Sequence, residues 1–429
     1  MKKIINSIRS FNISEIIRWF FNYNEKSVRN FFLALFNYKG KGGKVLAGEN
    51  KEKKSILKMD VSDIIKAFKK KNSEKKSDKK GSKKKAKSVI CKKAISIDIG
   101  SNNTKIIVGR YHKNKVIIDK AFSFKTPKGS IDDGHIKDID SLARAITDAL
   151  DSNNVKNDNV IFTTNSTSVI NRTIIIPKVN EDEIESVIKY EVQQYLPINL
   201  EDHMIQYNVL EEKVIDGNEK LEVLIVVYPN KMVYSYAELV NKIGGKPYAL
   251  DLNYNSKRKA YYVMNPEIKE SILSIDMGAE NIGLTIMKDN ELILIKTTKS
   301  GGNYLNSKIS KVLEISLENA EMQKRENCNL MNREEGPLEH VVREVVDSWF
   351  DEASRIIKYY KSKNTQNNID KIYICGGSSN IKGLERYVSS KLNMKVKIVQ
   401  GNSNIEFKKG VEEVNISEYI NAIGALIRL

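Results

Sequence analysis

Residues 94–109 read AISIDIGSNNTKIIVG, in which an alternating β-branched run ends in Asp-x-Gly and a second such run follows a polar turn. Alternation with a period of two predicts β-strands, and the short polar turn joins them into a hairpin. The same pattern returns 178 residues later, where residues 273–287 read LSIDMGAENIGLTIM. The chain therefore contains an internal duplication with an Asp-x-Gly tip in each copy.

The two Asp-x-Gly tips predict phosphate binding. Glycine lets backbone N–H groups approach phosphate oxygens, and a neighbouring carboxylate, here Asp98 or Asp276, can hold Mg²⁺ through water. A single tip of this kind is also common in ordinary hairpin turns. Two tips in matched strand contexts instead favour a clamp on one triphosphate.

Two later segments are consistent with a nucleotide site. A predicted strand at residues 372–375 opens into Gly376-Gly377-Ser378-Ser379 and then into a helix predicted from about Ile381. This arrangement presents free backbone N–H groups to a nucleotide, although a tight strand-to-helix turn is the simpler explanation for this loop taken alone. Glu321 and Lys324 share one face of another predicted helix, where a surface ion pair explains the spacing equally well.

The charge of the chain is concentrated at its start. The 429 residues allow two or three domains and carry a net charge of +17. Residues 1–93 contain 27 Lys+Arg and 8 Asp+Glu, whereas residues 94–429 contain 44 and 46. The body therefore gives no indication of specific nucleic-acid binding. The three cysteines lack CxxC spacing, which argues against a disulfide framework and a structural zinc site.

The basic N-terminal extension combines apolar stripes with lysine clusters. Apolar residues at helical spacing predict amphipathic helices within residues 1–68, and lysines spaced by Ser, Gly and Asp predict a linker over residues 69–93. Such helices beside lysines indicate attachment to an anionic membrane surface, or a small helical unit packed on a partner or on the body. Nonspecific nucleic-acid binding is disfavoured, because the aromatic residues lie on the apolar helix faces.

No apolar run near the start reaches the ~20 residues of a membrane-spanning helix, so we expect a cytoplasmic protein peripheral to the inner face of the cell membrane.

Taken in order, the two hairpins, the helix with Glu321 and Lys324, and the double-glycine loop before a terminal helix resemble the ATPase fold of actin, Hsp70 and sugar kinases. More narrowly, residues 94–429 resemble the PilM family of actin-like type IV pilus assembly proteins. The most specific match is the family's E-x-x-x-Y-[IL]-P segment, at residues 191–197. Further matches are at residues 207–210, 301–303 and 421–425.

The resemblance implies a two-lobed α/β body with a five-stranded mixed sheet in each lobe and nucleotide in the cleft between them. It also implies a small inserted α+β domain, called 1C in the family. The expected boundaries are residues 94–172, 230–270 and 415–429 for the first lobe, 173–229 for domain 1C, and 271–414 for the second lobe.

The resemblance implies ATP and Mg²⁺ as cofactors and assigns a role to each matching residue. Asp98 and Asp276 become Mg²⁺ carboxylates, and Asp276 also positions the attacking water. The first phosphate loop comprises Gly100, Ser101, Asn102 and Lys105, and the second comprises Gly278 and Ala279. The residues expected around the ribose and base are Gly301, Gly302, Glu321, Lys324, Gly376, Gly377 and Ser378.

The function implied by the resemblance is an ATP-binding scaffold of pilus assembly. In the family, domain 1C holds the cytoplasmic tail of the inner-membrane protein PilN, and a ring or platform of this protein would lie beneath the pilus machine. Gln206 stands where the family often has aspartate, so we expect slow or absent ATP hydrolysis, because water activation requires a correctly placed anion.

Two other functions share this fold. An FtsA-like division protein would anchor through a C-terminal amphipathic helix after a linker, whereas this sequence stops at Leu429, directly after its last predicted helix. A small-molecule kinase would need a substrate pocket with a base, and nothing beyond the phosphate loops indicates one. The pilus assembly interpretation is therefore preferred over both.

Overall fold

The computed structural model describes residues 93–156, 158–267, 269–332, 336–364 and 367–428. The helices predicted within residues 1–68, and the linker before Lys93, lie outside these residues. The strands are β1 (Ala94–Ile99), β2 (Asn103–His112), β3 (Lys115–Lys125), β4 (Ile131–Asp132), β5 (His135–Ile136), β6 (Asn159–Thr164), β7 (Ile170–Pro177), β8 (His203–Ile215), β9 (Asn218–Pro229), β10 (Lys246–Leu252), β11 (Ile272–Met277), β12 (Ile282–Lys288), β13 (Glu291–Thr298), β14 (Lys371–Cys375), β15 (Val396–Ile398) and β16 (Ile405–Phe407).

The α-helices are α1 (Ile139–Ser152), α2 (Ile184–Tyr195), α3 (Asn230–Lys242), α4 (Asn253–Met264), α5 (Gly302–Leu313), α6 (Leu317–Glu326), α7 (Pro337–Lys363), α8 (Leu384–Leu392) and α9 (Ile416–Ala425). Short 3-10 helices span Leu200–Asp202 and Gly377–Asn380. Within the described ranges, no helix combines the length and apolarity needed to span a bilayer.

The first lobe is built on a sheet with the strand order β10-β6-β1-β2-β3-β16. Strand β1 is central and fully buried, and it pairs antiparallel with β2 and parallel with β6. All six of its residues are buried, so the polar Ser96 and Asp98 lie inside the protein beside the isoleucines. Helices α1, α3, α4 and α9 contribute the rest of this core.

The predicted five-stranded sheet of the first lobe is wrong by one strand. Strand β16 pairs parallel with β3, with Ile405 opposite Val116, so it belongs to the first sheet although we expected it in the second lobe. Asn404, directly before β16, helps to hold the chain beside the first lobe, because its side chain donates a 2.7 Å hydrogen bond to the carbonyl of Val263. A three-residue edge strand is too short to show a period, and the sequence therefore does not reveal it.

The second lobe repeats the pattern with a five-stranded mixed sheet in the order β13-β12-β11-β14-β15, as predicted. Strand β11 pairs antiparallel with β12 and parallel with β14, just as β1 does with β2 and β6. Helices α5 to α8 complete a separate core. The two Asp-x-Gly tips therefore lie at equivalent places, one in each lobe.

A small α+β unit, residues 170–229, lies in the chain between β6 and α3. Its three antiparallel strands follow the order β7-β9-β8 and pack with α2 around a core of their own, which includes Ile188 on the helix and Val223 and Ile225 on β9. The unit begins at Ile170, three residues before the predicted boundary at residue 173. We call it the small unit below.

The last helix, α9, is held against α4 by a close backbone approach. A Cβ atom added at Gly424 would lie 1.9 Å from the carbonyl oxygen of Ser256, so only glycine fits there. This contact matters for the cleft, because Asn421 and Glu418 on the same helix line it.

We predict that Gly424→Ala destabilises the chain by about 1–3 kcal/mol through overpacking, although alanine is the better helix former. Urea-induced unfolding of the full chain measures this change. Gly377→Ala is the control, since a Cβ atom there meets no atom within 4 Å. We expect that variant to stay within about 0.5 kcal/mol of the original chain. Equal stability of the two variants would contradict the proposed contact.

Candidate functional site

A cleft lies between the two lobes, at the tips of both hairpins. The structure brings together there all but one of the residues predicted to contact nucleotide. Those that line the cleft are Asp98, Gly100, Ser101, Asn102, Lys105, Asp276, Gly278, Ala279, Gly302, Glu321, Lys324, Gly376, Gly377 and Ser378. The exception is Gly301, which is buried behind the second loop and donates its N–H to the carbonyl of Glu280 at 2.9 Å.

The two Asp-x-Gly loops have the same local geometry. Gly100 donates to the carbonyl of Asn103 at 3.2 Å, and Gly278 donates to that of Asn281 at 3.0 Å. A Cβ atom at either glycine would lie within 2.9 Å of the same carbonyl oxygen, which excludes other residues. In the part of the chain that the structure describes, the next N–H in each loop, that of Ser101 or Ala279, donates to no protein acceptor. Both loops therefore present an unpaired donor at the cleft.

The double-glycine loop faces the cleft between strand β14 and helix α8. Gly376 has φ +89°, and a Cβ atom there would lie 2.7 Å from Oδ1 of Asp276, so this position requires glycine. Gly377 differs, because a Cβ atom there would meet nothing within 4 Å and would project into open space. The predicted helix begins at Leu384, after the short 3-10 turn that follows Gly376.

Asp98 is a buried carboxylate whose direct partners are neutral. Thr163 Oγ1 donates to its Oδ1 at 2.9 Å, and Asn421 Nδ2 lies 3.4 Å from its Oδ2. Burial raises the pKa of Asp98, and the nearby positive charge of Lys105 offsets this only in part. A cation beside Asp98 would therefore stabilise its charged form.

Asp276 has a different environment, because a buried lysine pairs with it. Lys257 Nζ lies 3.0 Å from its Oδ2, and Asn421 Nδ2 lies 3.3 Å from the same atom. Burial alone would raise the pKa of Asp276, but the charge of Lys257 lowers it below the ordinary value. Burial would likewise lower the pKa of Lys257, and Asp276 raises it instead. Both members of this ion pair are therefore charged.

Three asparagines in the cleft have buried side-chain oxygens without a hydrogen-bond donor among the described residues. They are Asn253, Asn281 and Asn421. Buried acceptors are normally satisfied by protein, water or a ligand. Together with the unpaired loop donors and the carboxylate of Asp98, these oxygens fit a polar, charged ligand accompanied by a hydrated divalent cation.

Glu321 and Lys324 form a network at the cleft wall and not a simple surface pair. Lys324 is buried, and its Nζ donates to Asn306 Oδ1 at 2.8 Å and to Glu321 Oε2 at 2.5 Å. Arg325 Nε binds the other oxygen of Glu321 at 2.7 Å. Burial would raise the pKa of Glu321, but Lys324 lowers it. The side chains are thereby fixed before any ligand arrives.

Gln206 is not among the residues that line the cleft. It lies on β8 of the small unit, where its Oε1 accepts a 2.8 Å hydrogen bond from the hydroxyl of Tyr228. Gln206 therefore cannot explain slow hydrolysis, and the sequence-based prediction was wrong about that cause. Any limit on water activation has to come from the residues at the two loops.

The two lobes are joined across the cleft by a set of hydrogen bonds centred on Asp133, which we call the Asp133 clasp. From the second lobe, Asn281 Nδ2 donates to Asp133 Oδ1 at 2.9 Å and Lys299 Nζ lies 3.4 Å from Oδ2. From the chain that enters the small unit, the backbone N–H of Thr167 donates to Oδ1 at 3.0 Å. A separate contact joins Asn102 Nδ2 to Asn303 Oδ1 at 2.8 Å.

The Asp133 carboxylate is charged at neutral pH. Burial would raise its pKa, but the hydrogen bonds from Thr167 and Asn281 and the charge of Lys299 lower it below the ordinary value. A carboxyl group with a lowered folded-state pKa stabilises the fold above its unfolded-state pKa, and this contribution is lost as the pH falls through the folded-state value. The clasp is therefore intact at neutral pH.

Lys257 and the clasp were not predicted from the sequence. Lys257 and Lys259 occur two residues apart on α4, and a charged helix of this kind is normally exposed. Both are 1% exposed here. Only their position on a helix between two buried carboxylates explains this, and a single sequence does not reveal that position.

Comparison with known proteins places this arrangement in a family. The chain is similar to a protein in the PilM–PilN type IV pilus biogenesis complex, with a TM-score of 0.68 and 19% identity over 78% of this chain and 97% of that one. It is also 24% identical over 251 residues to the cell division protein FtsA of Streptococcus pneumoniae, which covers 52% of this chain and 53% of FtsA. The chain thus spans about half the length of this curated relative. The family model of the type IV pilus assembly protein PilM matches residues 96–428, and the chain therefore belongs to the PilM family and has its actin-like ATPase fold.

Proposed function

We propose that the cleft binds Mg²⁺-ATP and that nucleotide state controls the attachment of a PilN-like inner-membrane protein during type IV pilus assembly. The observation that carries the nucleotide part is the pair of Asp-x-Gly loops, one from each lobe, which both present an unpaired N–H to one cleft. A ligand with several phosphate groups can contact both loops at once.

Each group in the cleft then has a role. The N–H groups of Ser101 and Ala279 and the side chain of Lys105 would bind the phosphates. Asp98 would hold the hydrated Mg²⁺, which supplies positive charge beside the phosphates when it is bound. The residues proposed around the ribose and base are Gly302, Glu321, Lys324, Gly376, Gly377 and Ser378.

We keep the proposal of slow or absent hydrolysis and assign it to a new cause. Asp276 is the carboxylate proposed to position water, but its Oδ2 already accepts from Lys257 and Asn421. A carboxylate held in an ion pair is a weak general base. ATP would then act chiefly as a conformational ligand that favours the closed cleft.

The partner part of the proposal rests on the small unit. Two aromatic side chains in the second half of its helix, Tyr190 and Tyr195, are 62% and 60% exposed. The guanidinium of Arg172 lies 5.8 Å from the ring centroid of Tyr195, which holds that ring in place. Exposed tyrosine beside arginine is typical of binding hot spots. The structural relative in complex with PilN supports a PilN-like tail as the partner.

The Asp133 clasp gives a physical route between the two sites. Asp133 accepts from Thr167, where the chain enters the small unit, and from Asn281, which follows the second phosphate loop. A change at either place alters the other through one buried carboxylate. Nucleotide binding and partner binding would therefore change each other's affinity by the same factor.

Two further parts of the proposal come from the sequence alone. The amphipathic segments and lysines of residues 1–93 would attach the protein to an anionic membrane surface, on the cytoplasmic side, close to its membrane-embedded partner. A ring of several copies would form the platform beneath the pilus. The membrane attachment concerns residues before Lys93, and the ring concerns contacts between copies, so both lie outside what the structure describes.

We predict that Gly377→Val weakens nucleotide binding without unfolding the chain. The added side chain projects into the open cleft and meets no protein atom within 4 Å at its Cβ. The two methyl groups beyond that Cβ would then occupy space that the proposed ligand needs. Isothermal titration of Mg²⁺-ATP into the full chain should show binding weakened at least ~10-fold, which corresponds to about 1.4 kcal/mol.

Gly377→Ala is the graded control, because the smaller side chain should weaken binding less than valine does. Thermal unfolding of both variants verifies that they are folded. If the original chain binds no Mg²⁺-ATP, or if a folded Gly377→Val variant binds as well as the original, the nucleotide site is not where we propose it.

We predict that Asp133→Ala uncouples the small unit from the cleft. Binding of a peptide with the cytoplasmic tail sequence of the PilN-like protein should differ at least ~5-fold with and without Mg²⁺-ATP in the original chain, as allosteric couplings typically do. In Asp133→Ala this ratio should fall towards one, because the contacts to Thr167 and Asn281 are lost.

Asp132→Ala is the matched control for this measurement. Asp132 precedes Asp133, is exposed, and pairs with Lys137 on the surface. The control should retain the full nucleotide effect on peptide binding. A ratio that survives in Asp133→Ala, while both variants remain folded, would exclude the clasp as the route of coupling.

A further inference from the structure

We propose that the ammonium group of Lys257 takes the place of a metal ion at Asp276. A nucleotide would then bind with its divalent cation at Asp98 alone. The inference rests on the proposed nucleotide function and specifies which of the two repeated loops binds the divalent cation. The two loops are equal in backbone geometry and unequal in the charges that surround their carboxylates.

The duplicated hairpins differ at the register position opposite the aspartate of each tip. In the first copy Lys105 on β2 lies opposite Asp98, whereas in the second copy Gly283 on β12 lies opposite Asp276. The missing side chain leaves room for Lys257 to approach from α4. A Cβ atom at Gly283 would come 3.9 Å from Lys257 Nζ and 3.6 Å from the Cβ of Asp276. The second copy therefore receives its lysine from a helix and not from the neighbouring strand.

The lysine in the second copy is also buried, unlike its counterpart. Lys257 is 1% exposed and its Nζ contacts Asp276 Oδ2 at 3.0 Å, whereas Lys105 is partly exposed and lines the cleft. Lys257 is thus placed to neutralise a protein carboxylate, and Lys105 is placed to meet a ligand. Buried lysine is retained only where an anion compensates it.

The remaining surface of Asp276 leaves little space for a metal ion. Its Oδ2 contacts both Lys257 and Asn421, and its Oδ1 faces Gly376 so closely that a Cβ atom there would lie 2.7 Å away. Mg²⁺ requires near-octahedral coordination and usually retains several waters. Such an ion does not fit at Asp276 unless Lys257 leaves.

Asp98 is the carboxylate that still needs a positive charge. Its direct contacts are the hydroxyl of Thr163 and the amide of Asn421, and both are neutral. Because Asn421 bridges it to Asp276, two negative charges lie close together and Lys257 compensates only one. A divalent cation is therefore favoured at Asp98 and disfavoured at Asp276.

The test is a Mn²⁺ titration of the full chain followed by electron paramagnetic resonance, with Mn²⁺ as the probe for Mg²⁺. Without nucleotide, Lys257→Met leaves both carboxylates facing one cation, and we expect it to bind Mn²⁺ at least ~10-fold more tightly than the original chain. With a non-hydrolysable ATP analogue, the original chain should take up a single Mn²⁺.

Lys259→Met is the matched control. Lys259 is on the same helix, is equally buried at 1% exposure, and pairs at 2.5 Å with Asp251, which does not line the cleft. Its loss removes a buried lysine without changing the cation site, so its Mn²⁺ titration should match that of the original chain. Lys257→Arg, which keeps a positive charge, should also bind Mn²⁺ like the original chain.

The outcomes separate this inference from the proposed function. A folded Lys257→Met variant with an unchanged Mn²⁺ titration would overturn the role of Lys257, and so would two Mn²⁺ ions bound with nucleotide to the original chain. The second result decides the question even if Lys257→Met fails to fold. Failure of the original chain to bind the ATP analogue would overturn the nucleotide function, while the nucleotide-free titration still tests Lys257.

Discussion

Two buried carboxylates, one from each lobe, meet at the amide of Asn421, which lies 3.4 Å from Asp98 and 3.3 Å from Asp276. Like charges in a buried site repel each other, and the ion pair between Lys257 and Asp276 compensates for part of this repulsion. The helix that carries Asn421 is fixed against α4 by the close contact at Gly424. The geometry of the cleft therefore depends on the end of the chain as much as on the loops.

The duplicated hairpins combine the same backbone turn with two different side-chain environments. Both loops close with the same glycine turn and both present an unpaired N–H, yet Asp98 contacts the neutral side chains of Thr163 and Asn421, whereas Asp276 pairs with Lys257. This asymmetry is the basis of our proposal that nucleotide binds without rapid hydrolysis. In the proposed function, the Asp133 clasp would connect the nucleotide cleft to the residues where the small unit begins.

Much of this architecture could be predicted from the sequence, because strand alternation, Asp-x-Gly turns and the double glycine are local patterns. The β1–β2 and β11–β12 hairpins follow from them directly. Strand β16 could not be predicted, since three residues show no period. Lys257 and Lys324 could not be recognised as buried, because burial depends on partners distant in sequence. Gln206 was predicted to affect ATP hydrolysis, but it lies on β8 outside the cleft and contacts Tyr228 on the neighbouring strand. The sequence does not show how far this strand lies from the cleft.

The most direct test of the account is a crystal structure of the full chain with Mn²⁺ and a non-hydrolysable ATP analogue, in which anomalous scattering locates the ion. The account predicts one ion on the Asp98 side, phosphate oxygens at the N–H groups of Ser101 and Ala279, and the Lys257–Asp276 pair intact. An ion coordinated by Asp276 with Lys257 displaced, or a nucleotide bound outside the cleft, would contradict it.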